Sequence, residues 1–251
     1  MNLVRHVHCN ERVTTETSSA ISRRALLGAP AGVLAHALTA ATGRGTATER
    51  DHLIEDWHGA SVGSSGVPAG WSRYETPGGH PAYDFTIVMD EGRRSLRLKS
   101  ASEHSTIAKE ITVDLGVTPS LRWEWKVVRF PEGADLRTRR ALDATAHVFV
   151  IWPRFPEMLR SRLIGYVWDA TLPAGTIVQS AKAAIVTYVV ARAGADGVGA
   201  WHTETRDVAA DYRRIFKERP SNPRAVALSI DTNDTRSSAE ALVGRIAFVA
   251  R

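Results

Sequence analysis

The stretch from Ser120 to Trp152 limits the possible fold more than any other. Leu121, Trp123, Trp125 and Val127 alternate with Arg122, Glu124 and Lys126. Extended backbone repeats every two residues, so the four apolar side chains share one face and the charges take the other. No helix would bring those four together. A charged loop, Pro131 to Asp143, leads to a partner strand, Thr145-Ala-His-Val-Phe-Val-Ile-Trp152, which is apolar at odd and even positions alike. A strand of that composition is covered on both faces and belongs in the middle of a packed sheet.

The chain around this pair repeats the pattern. Tyr83 to Met89 ends at the turn Asp90-Glu-Gly92, and Ser95 to Lys99 then alternates Leu96 and Leu98 with polar residues. Thr106 to Val113, Ile164 to Trp168, Thr176 to Val178, Ala184 to Ala191, Trp201 to Val208, Ala225 to Ile230 and Ala241 to Ala250 read as further short strands between turn residues. One helix is predicted, capped by Asp207 and carrying Val208, Tyr212, Ile215 and Phe216 as a stripe; Pro220 and Pro223 end it. The segment after Pro156 holds at most two helical turns. Many strands with helices missing between them exclude a doubly wound α/β fold. The expectation is a mainly β protein, an antiparallel, jelly-roll-like β-sandwich with one or two short helices.

A single domain over residues 48–251 suits the length of 251 residues. Residues 1–47 read differently. They contain Arg23 and Arg24, then Ala25-Leu-Leu-Gly28, a weakly apolar run from Ala29 to Ala41, and small residues up to Ala47. This pattern resembles a cleavable twin-arginine export signal and predicts a periplasmic or extracellular location. The run is too short for a membrane span, which needs roughly 20 apolar residues. The single cysteine, Cys9, lies in this leader, so the mature chain has neither a disulfide nor a thiolate metal site. The formal charge of +5 also sits largely in front: after residue 47 there are 27 basic and 25 acidic side chains. That balance argues against a nucleic-acid partner, which needs a broad positive face.

Several segments together resemble the bacterial family known as domain of unknown function 3047. They are the Trp-Glu-Trp-Lys-Val strand, Gly133-Ala-Asp-Leu-Arg-Thr138, Asp143-Ala-Thr-Ala-His-Val-Phe-Val150, Tyr166-Val-Trp168, Leu172-Pro-Ala-Gly-Thr176, Asp211-Tyr-Arg213 and Ser229-Ile-Asp-Thr-Asn-Asp-Thr235. The resemblance runs roughly from Leu53 to Val249. The chain departs from the family pattern at Leu142-Asp143, where an Asp pair is usual, at His147, where Arg is usual, and at Val178 to Lys182. The family name implies no activity. Its resemblance to galactose-binding-like and lectin-like jelly rolls implies glycan recognition, by analogy of fold alone.

The residues offer several candidates for chemistry. Asp135, Arg137, Arg139, Arg140 and Asp143 concentrate charge beside the central strands, either as a ligand rim or as a solvated loop. For ligand contact the candidates are Asp135, Arg137, Asp143, His147 and Trp71. Trp57 and Trp71 lie in Gly, Ser and Pro-rich sequence and are candidate platforms for sugar rings, whereas Trp123 and Trp125 read as core. Asp231, Asn233 and Asp234, with Thr235, offer hard oxygens for a structural calcium, without the glycine and distal glutamate of a helix-loop-helix calcium loop; the same residues make ordinary turns. His147, Asp143 and Glu124 are the candidate acid–base groups. No Gly-x-Ser-x-Gly elbow, phosphate loop or dinucleotide fingerprint occurs. The expected function is an exported, non-catalytic binding domain for carbohydrate or a cell-envelope polymer. The alternatives are a glycan-active lyase or hydrolase and an envelope scaffold.

Overall fold

The structure, a computed structural model, describes residues 51–74 and 81–251, which belong to the unit Ala47–Arg251. Residues 1–47, where an export signal is expected, lie outside the described residues. In chain order the elements are β1 (His52–Glu55), β2 (Ser72–Arg73), β3 (Asp84–Asp90), β4 (Arg93–Ala101), β5 (His104–Glu110), β6 (Ser120–Arg129), β7 (Ala144–Trp152), α1 (Glu157–Arg160), β8 (Arg162–Asp169), β9 (Ile177–Gln179), β10 (Val186–Ala193), β11 (His202–Asp207), α2 (Val208–Phe216), β12 (Ala225–Asp231) and β13 (Ser238–Val249). The protein is mostly β, in two sheets. Among the described residues one has six strands, in the order β11-β6-β13-β4-β3 with β1 also on β13; the other has seven, in the order β2-β5-β12-β7-β8-β10-β9. Pairing is antiparallel except between β8 and β10.

The two sheets face each other across the tryptophans. On β6, Leu121, Trp123, Trp125 and Val127 are fully buried, as period two requires. Trp123 stacks on Tyr166 of β8 at 5.2 Å, and Trp125 meets Trp168 at 6.0 Å, so the aromatic layer joins both sheets. β7 is buried along its whole length between β12 and β8. It is not the hydrogen-bonded partner of β6, however. The loop 130–143 crosses from one sheet to the other, which lets both apolar strands be central in their own layers.

The outer face of the seven-stranded sheet has a smaller core of its own. Leu136 and Leu142 from the crossing loop and Leu172 from the β8–β9 connection cover Phe149, Ile151, Val167, Tyr188 and Val190. Gly165 lies between Phe149 and Tyr188 in the ladder. A methyl group there would stand 2.5 Å from the Phe149 ring and 3.1 Å from Tyr188. The missing side chain lets both rings lie against the sheet.

Two polar anchors hold α2 in place. Asp207 accepts from the Ala210 amide at 2.8 Å, as a helix cap should. Asp211, buried, accepts from the Tyr166 hydroxyl at 3.0 Å and from both nitrogens of the Arg206 fork. The Asp211-Tyr-Arg213 motif is thus accounted for by docking of the helix. No helix among the described residues is long and apolar enough to cross a membrane.

Candidate functional site

Five outward-facing positions on three neighbouring strands start the site. β5 presents His104 and Thr106, β12 presents Ser229 and Asp231, and β7 presents His147, in register across the sheet. Thr106 Oγ1 lies 2.9 Å from His104 Nε2 and donates to Ser229 Oγ at 2.7 Å. His147 stacks on Phe149 at 5.2 Å and leans on Tyr188 at 5.4 Å. Its ring nitrogens make no hydrogen bond of normal geometry. Burial pushes its pKa down to about 3, with neighbouring His104 acting in the same direction. A ring so enclosed is a neutral core histidine, not a base in contact with solvent.

Asp143 closes the end of this row. It is 1% exposed and accepts from the Asp234 amide at 3.1 Å, the Thr235 amide at 2.7 Å and the Thr235 hydroxyl at 2.6 Å. In return the Leu142 amide donates to Asp234 at 3.1 Å, and Lys182 pairs with Asp234. Two carboxylates therefore clamp the crossing loop to the β12–β13 turn and to the β9–β10 turn. Asp231 lies beside them; burial first, and the Asp143 charge as well, push its pKa up to about 8. It is protonated at neutral pH. His104 is lowered by burial and by the Lys182 charge.

Lys182 and Asp234 also belong to an open groove of about 780 Å³. Arg139 and Arg140 line it from the crossing loop, and Asn233 and Arg236 from the β12–β13 turn. Every residue in the lining is polar or charged. A second hollow, of about 330 Å³, lies near α2, between Leu115, Pro119, Ala209 and Arg213, and holds none of the candidate residues.

The candidates thus separate. Asp143, His147, Asp231 and Asp234 converge. Glu124 does not: it stands on β6 in the other sheet, paired with Arg93 at 3.0 Å. Asp135 and Arg137 bond each other in the loop, at 2.8 and 2.9 Å, and the guanidinium holds the carboxyl below its usual range. Trp71 is only 6% exposed and stacks on Trp57 at 5.7 Å, so the two pack with the core instead of forming a surface platform. Their indole nitrogens donate to Glu55 and to the Gly244 carbonyl, and these partners make an irregular segment a place to bury them. Burial works against the Glu55 charge, but hydrogen bonds from Lys109, Trp71 and the Trp57 amide keep its pKa low. Of the calcium candidates, Asp234 is engaged by Lys182 and Asp231 accepts from the Asn233 amide at 3.2 Å. Among the described residues no group of three or more His, Cys, Asp and Glu is placed to hold a metal. Lys182 and Arg236 carried no sequence signal beyond their charge; only strand order brings them to Arg139 and Arg140.

A two-sheet sandwich whose loops close one end over a charged groove defines a structural class, not an activity. Within that class the chain belongs to the family described as Protein of unknown function (DUF3047), whose model matches residues 69–247. No curated protein matches it. Among solved structures it is similar to a family 11 carbohydrate-binding module of the cellulosomal cellulase Lic26A-Cel5E of Clostridium thermocellum, at 11% identity and a TM-score of 0.43, covering 80% of this chain and 95% of that one. It is also similar to the xyloglucanase domain of NopAA, a type three effector from Sinorhizobium fredii, at 10% identity and a TM-score of 0.39, covering 75% and 98%. Neither likeness says what this chain binds.

Proposed function

We propose that this chain is an exported, non-catalytic domain that binds a carbohydrate or another cell-envelope polymer in the groove between the crossing loop and the β12–β13 turn. The observation that carries this reading is the groove itself, open to solvent and lined by Arg139, Arg140, Lys182, Asn233, Asp234 and Arg236. Hydroxyl-rich polymers are held by such sets of donors and acceptors, and an open trough admits a chain where a closed pocket admits a small molecule. No hydrophobic residue stands in the lining.

The enzyme alternative has less support. Catalysis by acid and base needs two groups within reach of one bond. Glu124 lies in the opposite sheet, His147 is enclosed, and all three hydrogen bonds given to Asp143 serve to fix a turn. A glycan array probed with the whole chain, with and without added calcium, tests the reading. Binding to one or more polysaccharides without turnover is expected; silence across envelope and plant polysaccharides would remove it. Export belongs to the same reading and rests on the Arg23-Arg24 leader. Cell fractionation is expected to find the wild type outside the cytoplasm and an Arg23→Lys/Arg24→Lys variant inside it. Equal export of the two would refute the twin-arginine route.

A further inference from the structure

We infer that the polymer this groove takes is a polyuronate, a polysaccharide with a carboxylate on successive sugars; this rests on the glycan-binding reading and narrows it. The first reason is an imbalance of charge. Arg139, Arg140 and Arg236 are exposed, line one groove, and form no ion pair or side-chain hydrogen bond among the described residues. Some arginines elsewhere are matched: Arg93 with Glu124, Arg137 with Asp135, Arg192 with Glu204, Arg206 with Asp211 and Arg251 with Asp207. Other arginines, such as Arg97, Arg214 and Arg219, also lack an ion pair among the described residues, but this groove brings three such side chains together, in a chain nearly balanced after residue 47.

The second reason is the kind of charge. Guanidinium groups are planar forks that hold carboxylates through two parallel hydrogen bonds. The fourth cation, Lys182, is already paired with Asp234, and that carboxylate stays in the groove wall. A wall with three free arginines and one acid suits an anion carrying one charge per sugar, with hydroxyls between charges to meet Asn233 and Asp234. A more densely charged sulfated chain would bring several anions against Asp234. Single-stranded nucleic acid is held by aromatic rings on which bases stack, and no aromatic lines this groove. The crossing loop and the β12–β13 turn are clamped to each other through Asp143, so the segments that carry the arginines are held side by side.

Binding by the whole chain is measured by calorimetry on polygalacturonate, on the same polymer with its carboxyls reduced to alcohols, on a neutral glucan, on heparin and on single-stranded DNA. Polygalacturonate is expected to bind at least about tenfold tighter than its reduced form. Its binding should weaken steeply in about 0.5 M NaCl, as screened charges require. Arg139→Gln/Arg236→Gln is expected to lose at least about tenfold of that affinity. Both side chains are exposed, and circular dichroism should show the variant folded. Binding of neutral and reduced polymers as tightly as of polygalacturonate would overturn the inference and leave the glycan reading standing. Binding of no polysaccharide would overturn both. Tighter binding of heparin or DNA, or an unchanged double variant, would also overturn the polyuronate assignment.

Discussion

Asp231, half-buried, and His147, buried, answer loss of solvent in opposite ways, because each resists the charged form of its own side chain. Asp231 keeps its proton in the folded protein up to about pH 8, whereas in an unfolded chain it ionises near 3.8. Between those values the unfolded chain binds fewer protons, so Asp231 makes stability fall as pH rises. His147 ionises near 3 when folded and near 6.5 when unfolded. Between those values the unfolded chain binds more protons, so His147 makes stability rise with pH. The two slopes oppose each other until about pH 6.5, above which Asp231 acts without that counterweight. Asp231→Asn keeps the shape and the acceptor for the Asn233 amide but does not titrate. From pH 6.5 to 8 the variant is expected to gain on the wild type by up to about 2 kcal/mol, each pKa unit being worth about 1.4 kcal/mol. Urea unfolding followed by tryptophan emission at the two pH values measures the gain. Parallel losses in the two proteins would show that Asp231 is ionised in the folded state.

Elements were legible in the sequence wherever local chemistry alone sets the structure. Period-two alternation located β4 and β6, and Asp207 with the stripe from Val208 located α2. The continuous apolar run of β7 correctly implied a central strand. Which strands neighbour one another was not legible, because hydrogen-bonded pairs are long-range and no turn between β6 and β7 fixes a hairpin. That is why Glu124 reads as a companion of His147 along the chain while the fold sets them in different sheets. The same limit hid Arg236 and Lys182, which are ordinary turn residues until the sheet order brings them to Arg139 and Arg140. Trp57 and Trp71 misled for another reason. Glycine and proline around them mark irregular backbone, but irregular backbone can be buried once its polar groups have partners. Glu55 and Gly244 provide partners here.

For the molecule as a whole, the last strand is the seam. β13 bonds β6 along most of its length, β4 over Ser238–Val243 and β1 at its far end, with His52 opposite Phe248 and Leu53 opposite Ala247. The first described strand therefore closes on the last, and the six-stranded sheet is incomplete until the chain has reached Val249. The final turn of that seam is also core: Ile246 and Phe248 are fully buried and Val249 is 2% exposed. Burying each such side chain is worth about 1.5–3 kcal/mol. Removing residues 246–251 deletes these three and strips β1 and the Ser120–Trp123 end of β6 of their partner strand. The combined loss, about 5 kcal/mol or more from side chains alone, is comparable to the whole stability of a typical domain, about 5–15 kcal/mol. A chain ending at Arg245 is therefore expected to be unfolded at 25 °C, with red-shifted emission from its tryptophans and no cooperative transition in urea. A truncated protein that kept blue-shifted emission and a sharp transition would mean that the sandwich is held by its aromatic layer without the seam, and that β1 contributes nothing to its stability.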